Sequence, residues 1–103
     1  MRKIHSIYLL HEAREDLENG RIFYDERELG IGDYFIDCLL SDISSLKIHS
    51  GTHPKHDDYF RMLSKRFPFA IYYDIESDTA RIVAVLDMRM NPNTISGILQ
   101  TQE

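Results

Sequence analysis

Arg61, Lys65, Arg66 and Arg89 are the residues whose type and spacing suit chemistry on a phosphate. Metal-free cleavage of RNA at the 2′-hydroxyl needs a base, an acid for the leaving oxygen and cations for the phosphorane. Arginine stabilises that charge, but its high pKa makes it a poor base. Arg61, Arg66 and Arg89 are therefore the candidate catalytic residues, and His56 and Tyr59 are the nearest proton-transfer candidates in sequence. A wider set, Arg61, Lys65, Arg66, Tyr72, Asp87 and Arg89, is the candidate contact surface for an anionic or polar macromolecule. The competing reading is that these cations are solvated at a hairpin and that Asp87 neutralises Arg89 in a salt bridge.

The segments that must position them alternate in character. Ile4 to Leu10 is apolar and β-prone, short enough for one buried strand. From His11 onward, Ala13, Leu17, Gly20 and Tyr24 recur at helical spacing, with Glu12, Glu15 and Asp16 in the first turns, where the helix dipole favours negative charge. Gly20 weakens this helix, and a close helix–helix approach would explain it. Leu29-Gly30-Ile31-Gly32-Asp33 is the break, with Asp33 as the expected cap of a second helix whose stripe is Phe35, Leu39, Ile43 and Leu46. Gly30-x-Gly32 is too short for a phosphate loop and no strand precedes it.

A polar loop over residues 51–58 carries the chain to three strands: Tyr59 to Ser64, Phe67 to Ile75 and Ala80 to Leu86. Alternation puts Phe67, Phe69, Ile71, Tyr73 and Ile75 on one face and turns Tyr72 the other way, as the aromatic expected at the surface. Pro68 belongs at a strand start or edge. The expected fold is α+β: an N-terminal strand, an antiparallel helix hairpin, then a three-stranded antiparallel meander, all in one sheet with the hairpin over one face. Residues 1–92 form the domain and residues 93–103 a tail in which Ile95, Ile98 and Leu99 can make one helical turn against the body.

With 103 residues the chain holds one domain and one modest core. Its net charge of −5 makes it a poor non-specific nucleic-acid binder, although the stretch from Lys55 to Arg66 is locally basic. The single cysteine, Cys38, forms no internal disulfide and sits among apolar neighbours as an inert thiol, which fits a reducing cytoplasm. The basic start Met1-Arg2-Lys3 has no long apolar segment behind it, so neither a signal peptide nor a membrane span is expected. His49, His53, His56 and Asp57 have ligand chemistry, but Ser50-Gly51 and Pro54 end the helix that would align them. No metal and no cofactor is expected.

Taken in order, Glu12-Ala13-x-x-Asp16-Leu17, Phe23-Tyr24, Leu29-Gly30-Ile31-Gly32-x-x-Phe35, Arg66-Phe67-Pro68-Phe69-Ala70-Ile71-Tyr72-Tyr73 and Ala84-Val85-Leu86 followed by Arg89 and Asn91-Pro92 resemble the RelE/ParE superfamily of bacterial type II toxins. The resemblance covers roughly Ile7 to Pro92. It implies a growth-inhibiting toxin of the kind found in plasmid-stabilising pairs, held as a hetero-oligomer by a cognate antitoxin. The RelE branch cleaves messenger RNA in the ribosome, and the ParE branch is associated with poisoning DNA gyrase. The Phe-Pro-Phe-Ala-Ile-Tyr-Tyr strand is more ParE-like, which implies inhibitory binding rather than catalysis. The alternatives are a ribosome-dependent endoribonuclease and a degenerate toxin that retains only antitoxin binding. The chain departs from the pattern at Asp87 and Met90, where ParE-like chains often carry histidine and a second arginine.

Overall fold

The computed structural model describes residues 4–102; the basic start at residues 1–3 and the final residue 103 lie outside it. The elements run β1 (Ser6–Leu9), α1 (His11–Arg27), α2 (Ile31–Ser44), α3 (Leu46–His49), β2 (Lys55–His56), β3 (Tyr59–Leu63), β4 (Phe69–Glu76), β5 (Thr79–Asp87) and α4 (Pro92–Gln100). The α+β class, the helix hairpin and the β3–β4–β5 meander are as expected. The sheet is larger and mixed: its order is β1-β5-β4-β3-β2, and β1 lies parallel to β5 while every other pair is antiparallel. The added strand β2 comes from the segment expected as a plain loop. Asp57 and Asp58, both at positive φ, close the tight β2–β3 turn, as two-residue hairpins require.

The hairpin of α1 and α2 is seated on one face of the sheet. Ala13, Leu17, Phe35, Leu39, Ile43 and Leu46 from the helices pack with Phe69, Ile71, Tyr73, Ile82 and Val85 from the strands. Gly20 does what its position suggested: a Cβ there would lie 2.5 Å from the Phe35 ring. Gly32 is tighter still, since its Cβ would meet the Arg21 carbonyl oxygen. Asp33 does not cap α2. Gly30 holds the cap position at φ 96°, and Asp25 at the end of α1 accepts from the Gly30 and Gly32 N–H groups at 3.1 and 2.7 Å. Asp25 reaches those donors because the turn folds back over the end of α1, leaving Asp33 exposed on the first turn.

The other face of the sheet carries a second core. Alternation along β5 resets at a bulge, where Tyr72 pairs with Ala84 and Tyr73 with Ile82. Val83 and Ala84 consequently both face away from the hairpin and join Ala70, Tyr72 and Leu86. Residues 92–100 form a helix longer than the single turn expected, and its Ile95 and Leu99 cover this layer. Pro92 opens it where no N–H is needed, and the Asn91 side chain accepts from the Asn93 N–H at 2.8 Å. Ser96 bonds Asp57 at 2.9 Å, tying α4 to the β2–β3 turn.

If α4 belongs to the cooperative unit, Leu99→Ala costs about 2–5 kcal/mol in urea unfolding, and Gly20→Ala costs about 1–3 kcal/mol by driving a methyl into Phe35. A Leu99→Ala change within about 0.5 kcal/mol of wild type would show that the helix merely rests on the sheet.

Candidate functional site

The structure does not gather the six expected contact residues into one site, although Arg61 and Lys65 line a common cleft. Arg61 and Tyr72 lie opposite each other on β3 and β4, on the α4 side of the sheet. Tyr72 is 2% exposed, so its expected role as a surface contact does not hold: α4 covers it, its hydroxyl sits 3.7 Å from the Met88 sulfur, and burial raises its pKa against the pull of Arg61. The Arg61 Nε is itself buried with no hydrogen-bond partner. Lys65 and Arg66 turn toward α2, where they share a cleft of about 280 Å³ with Asp37, Cys38, Ser41 and Asp42. Arg89 is gripped by Asp87 through two hydrogen bonds of 2.9 and 2.7 Å, a planar two-point pair. This contact lowers the Asp87 pKa and raises that of Arg89, whose guanidinium also neighbours Tyr24.

The continuous cationic edge expected from the sequence is therefore not formed. Tyr59 faces the second core and His56 is exposed on β2. Neither contributes to a proton-transfer set around Arg66 or Arg89. Among the described residues no three His, Cys, Asp or Glu side chains converge as a metal site.

A different surface emerges at the end of the hairpin. Tyr24 packs edge-on against Phe67 at 4.9 Å, Tyr34 lies 5.8 Å from the same ring, and Arg27 sits 3.4 Å above Phe23. Tyr34 is exposed, and Phe23, Tyr24 and Phe67 are only half-buried. Beside them runs a groove of about 240 Å³ between α1 and the end of β5, floored by Gly20, Phe23, Phe69, Leu86 and Met90 and edged by Asp16 and Asp87. The pairing of β1 stops at Ile82, so the outer edge of β5 is open beyond it. There Asp16 accepts from the Val85 N–H at 2.9 Å.

Asp16 is the site residue that sequence reasoning missed. The expectation was only that its charge is favoured by the helix dipole. In the fold, burial pushes its pKa up to about 6 despite the Val85 bond, with Glu15 and Glu12 adding to the rise. The signal was present: Asp16 lies three residues after Ala13 and four before Gly20, both buried on the sheet-facing stripe.

No family model and no curated protein matches the sequence. Among the solved structures that match is a chain of the chromosomal ParDE TA system from P. aeruginosa, with a TM-score of 0.75 at 11% identity, over 84% of this chain and 98% of that one. The fold is ParE-like. The match spans nearly the whole of the ParDE chain, so the hairpin-on-sheet arrangement is shared rather than a fragment of it.

A folded pKa near 6 against an ordinary 3.8 means that the folded chain holds the Asp16 proton more tightly than the unfolded one. Its contribution to stability is fully present below about pH 4 and is lost as the pH rises through about 6. Asp16→Asn keeps an oxygen for the Val85 N–H and removes the buried charge. Its melting temperature should exceed wild type at pH 7.5 and converge with it at pH 4. Equal melting temperatures at both pH values would mean that the carboxylate is solvated.

Proposed function

We propose that the chain is the toxin of a type II toxin–antitoxin pair, acting in the cytoplasm by binding and inhibiting a macromolecular target, DNA gyrase, and neutralised by a cognate antitoxin. The observation that carries this reading is the ParE-like fold, matched over nearly the full length of a chain from a ParDE system. Docking rather than catalysis is supported by the dispersal of Arg61, Arg66 and Arg89 and by the grip of Asp87 on Arg89. Phosphoryl chemistry needs those charges to converge on one group, whereas a docking surface needs area and shape. The antitoxin is expected to cover the hairpin end and the α1–β5 groove, burying roughly 1,000 Å² or more. No helix among the described residues is long and apolar enough to cross a membrane.

A ribosome-dependent endoribonuclease is the second reading, favoured by one observation: the unpartnered Arg61 Nε beside the Tyr72 phenol is the kind of buried donor a phosphate would satisfy. The degenerate-toxin reading draws on the Asp87–Arg89 pair, which removes a cation from the exposed rim.

Purified protein should inhibit gyrase supercoiling and leave translated messenger RNA intact, and its expression without the neighbouring gene product should arrest growth. Ribosome-dependent cleavage that Arg89→Ala abolishes would replace inhibition with catalysis. Unimpeded growth would leave antitoxin binding alone.

A further inference from the structure

A separate cleft of about 500 Å³ lies between the end of α2, residues 49–54 and the outer edge of β3. That volume falls within the roughly 300–1,000 Å³ of small-molecule sites. Its lining includes His49, His53 and Lys65 on the polar side and Pro54, Met62 and Leu63 on the apolar side. Arg61 also lines it, although its guanidinium engages Tyr72. The carboxylate in the wall, Asp42, is already committed: its Oδ2 accepts from the Ser64 hydroxyl at 2.7 Å and the Lys65 N–H at 3.3 Å. The Thr52 hydroxyl likewise donates to the His49 carbonyl at 2.7 Å.

Donor accounting fixes the His53 tautomer. The Tyr73 hydroxyl accepts from the Gly51 N–H at 2.9 Å and lies 2.5 Å from His53 Nδ1. Tyr73 is fully buried, so its own proton must have an acceptor, and His53 Nδ1 is the one at hand. Burial and the neighbouring His49 lower the His53 pKa, which keeps the ring neutral and able to accept there. The ring proton therefore sits on Nε2, on the side of the imidazole away from Tyr73. The cleft lining thus combines His53 in a fixed tautomer with His49 and Lys65, from three segments of a chain whose net charge is −5.

We propose that this cleft binds a phosphate monoester of mononucleotide size, with the phosphate among His49, His53 and Lys65 and the organic group against Pro54, Met62 and Leu63. Two histidines and a lysine from three segments give the lining the chemistry to hold a phosphate, and the apolar residues suit the face of a base. The cleft shares no lining residue with the α1–β5 groove.

Calorimetric titration of the full chain with AMP, adenosine, inorganic phosphate and a short single-stranded oligonucleotide without terminal phosphates tests this. AMP should saturate one site, inorganic phosphate should bind the same site more weakly, and adenosine should not bind. Lys65→Met, with its fold checked by circular dichroism, should weaken AMP by at least about tenfold. The imidazole signals of His49 and His53 should move in the nitrogen–proton spectrum of the wild-type protein as AMP is added. Failure of AMP to saturate at millimolar concentration, an affinity unchanged in Lys65→Met, or saturation by the oligonucleotide with AMP inert would each overturn the proposal.

Discussion

The seat of Phe35 against Gly20 governs the rest of the molecule. Phe35 is fully buried and touches Tyr24, Phe67 and Phe69 with ring centroids 4.9 to 5.2 Å apart. It reaches that position only because residue 20 has no Cβ, so α1 and α2 approach closely enough for one ring to span both helices and the sheet. A methyl at residue 20 would lift α2 and with it the ring that orders Tyr24 and Phe67. The half-exposed aromatic corner is therefore the visible end of the core rather than a separate decoration on it.

Three helix carboxylates then fasten the layers. Asp16 on α1 holds the Val85 N–H at the open edge of β5, Asp25 holds the turn into α2, and Asp42 on α2 holds the turn from β3 into β4. Each satisfies a backbone donor that no strand or helix partner reaches, which is the condition for leaving such a donor inside a fold. They differ in setting. Asp16 is penalised by its surroundings, while Asp42 gains the Ser64 hydroxyl as a second donor. The fasteners near the α1–β5 groove and near the cleft beside β3 are thus different groups.

The fold was legible in the sequence where periodicity was strong. The stripe Phe35, Leu39, Ile43 and Leu46 and the alternating Phe69, Ile71 and Tyr73 appear in the core as their spacing implies. The miss at Tyr72 has a plain physical origin: a strand pattern tells the two faces apart but not what covers the second. Tyr72 pointed away from the hairpin, as alternation says, yet α4 waited there. No residue type announces the bulge at Val83, and the parallel pairing of β1 with β5 depends on a crossover through both helices. The site was less legible than the fold because charge proximity in sequence is a poor guide across a turn. Arg61 sits opposite Tyr72 and shares a cleft with Lys65, whereas Arg66 lines a cleft against α2.

That dispersal decides what kind of surface the molecule presents. With more carboxylates than cations, the chain pairs three of its eight arginines with its own carboxylates: Arg21 with Glu18 and Asp25, Arg81 with Asp74 and Glu76, and Arg89 with Asp87. An arginine held by two oxygens in a plane loses much of its pull on a distant phosphate, because the pair looks nearly neutral beyond a Debye length. If the proposed partner docks at the hairpin end, contact with Phe23, Tyr24, Tyr34 and Phe67 contributes more there than long-range attraction by Arg89. Aromatic anchors of this kind favour a partner that brings its own apolar segment. A nucleic-acid backbone offers no such segment, so the chemistry of this corner suits a protein surface.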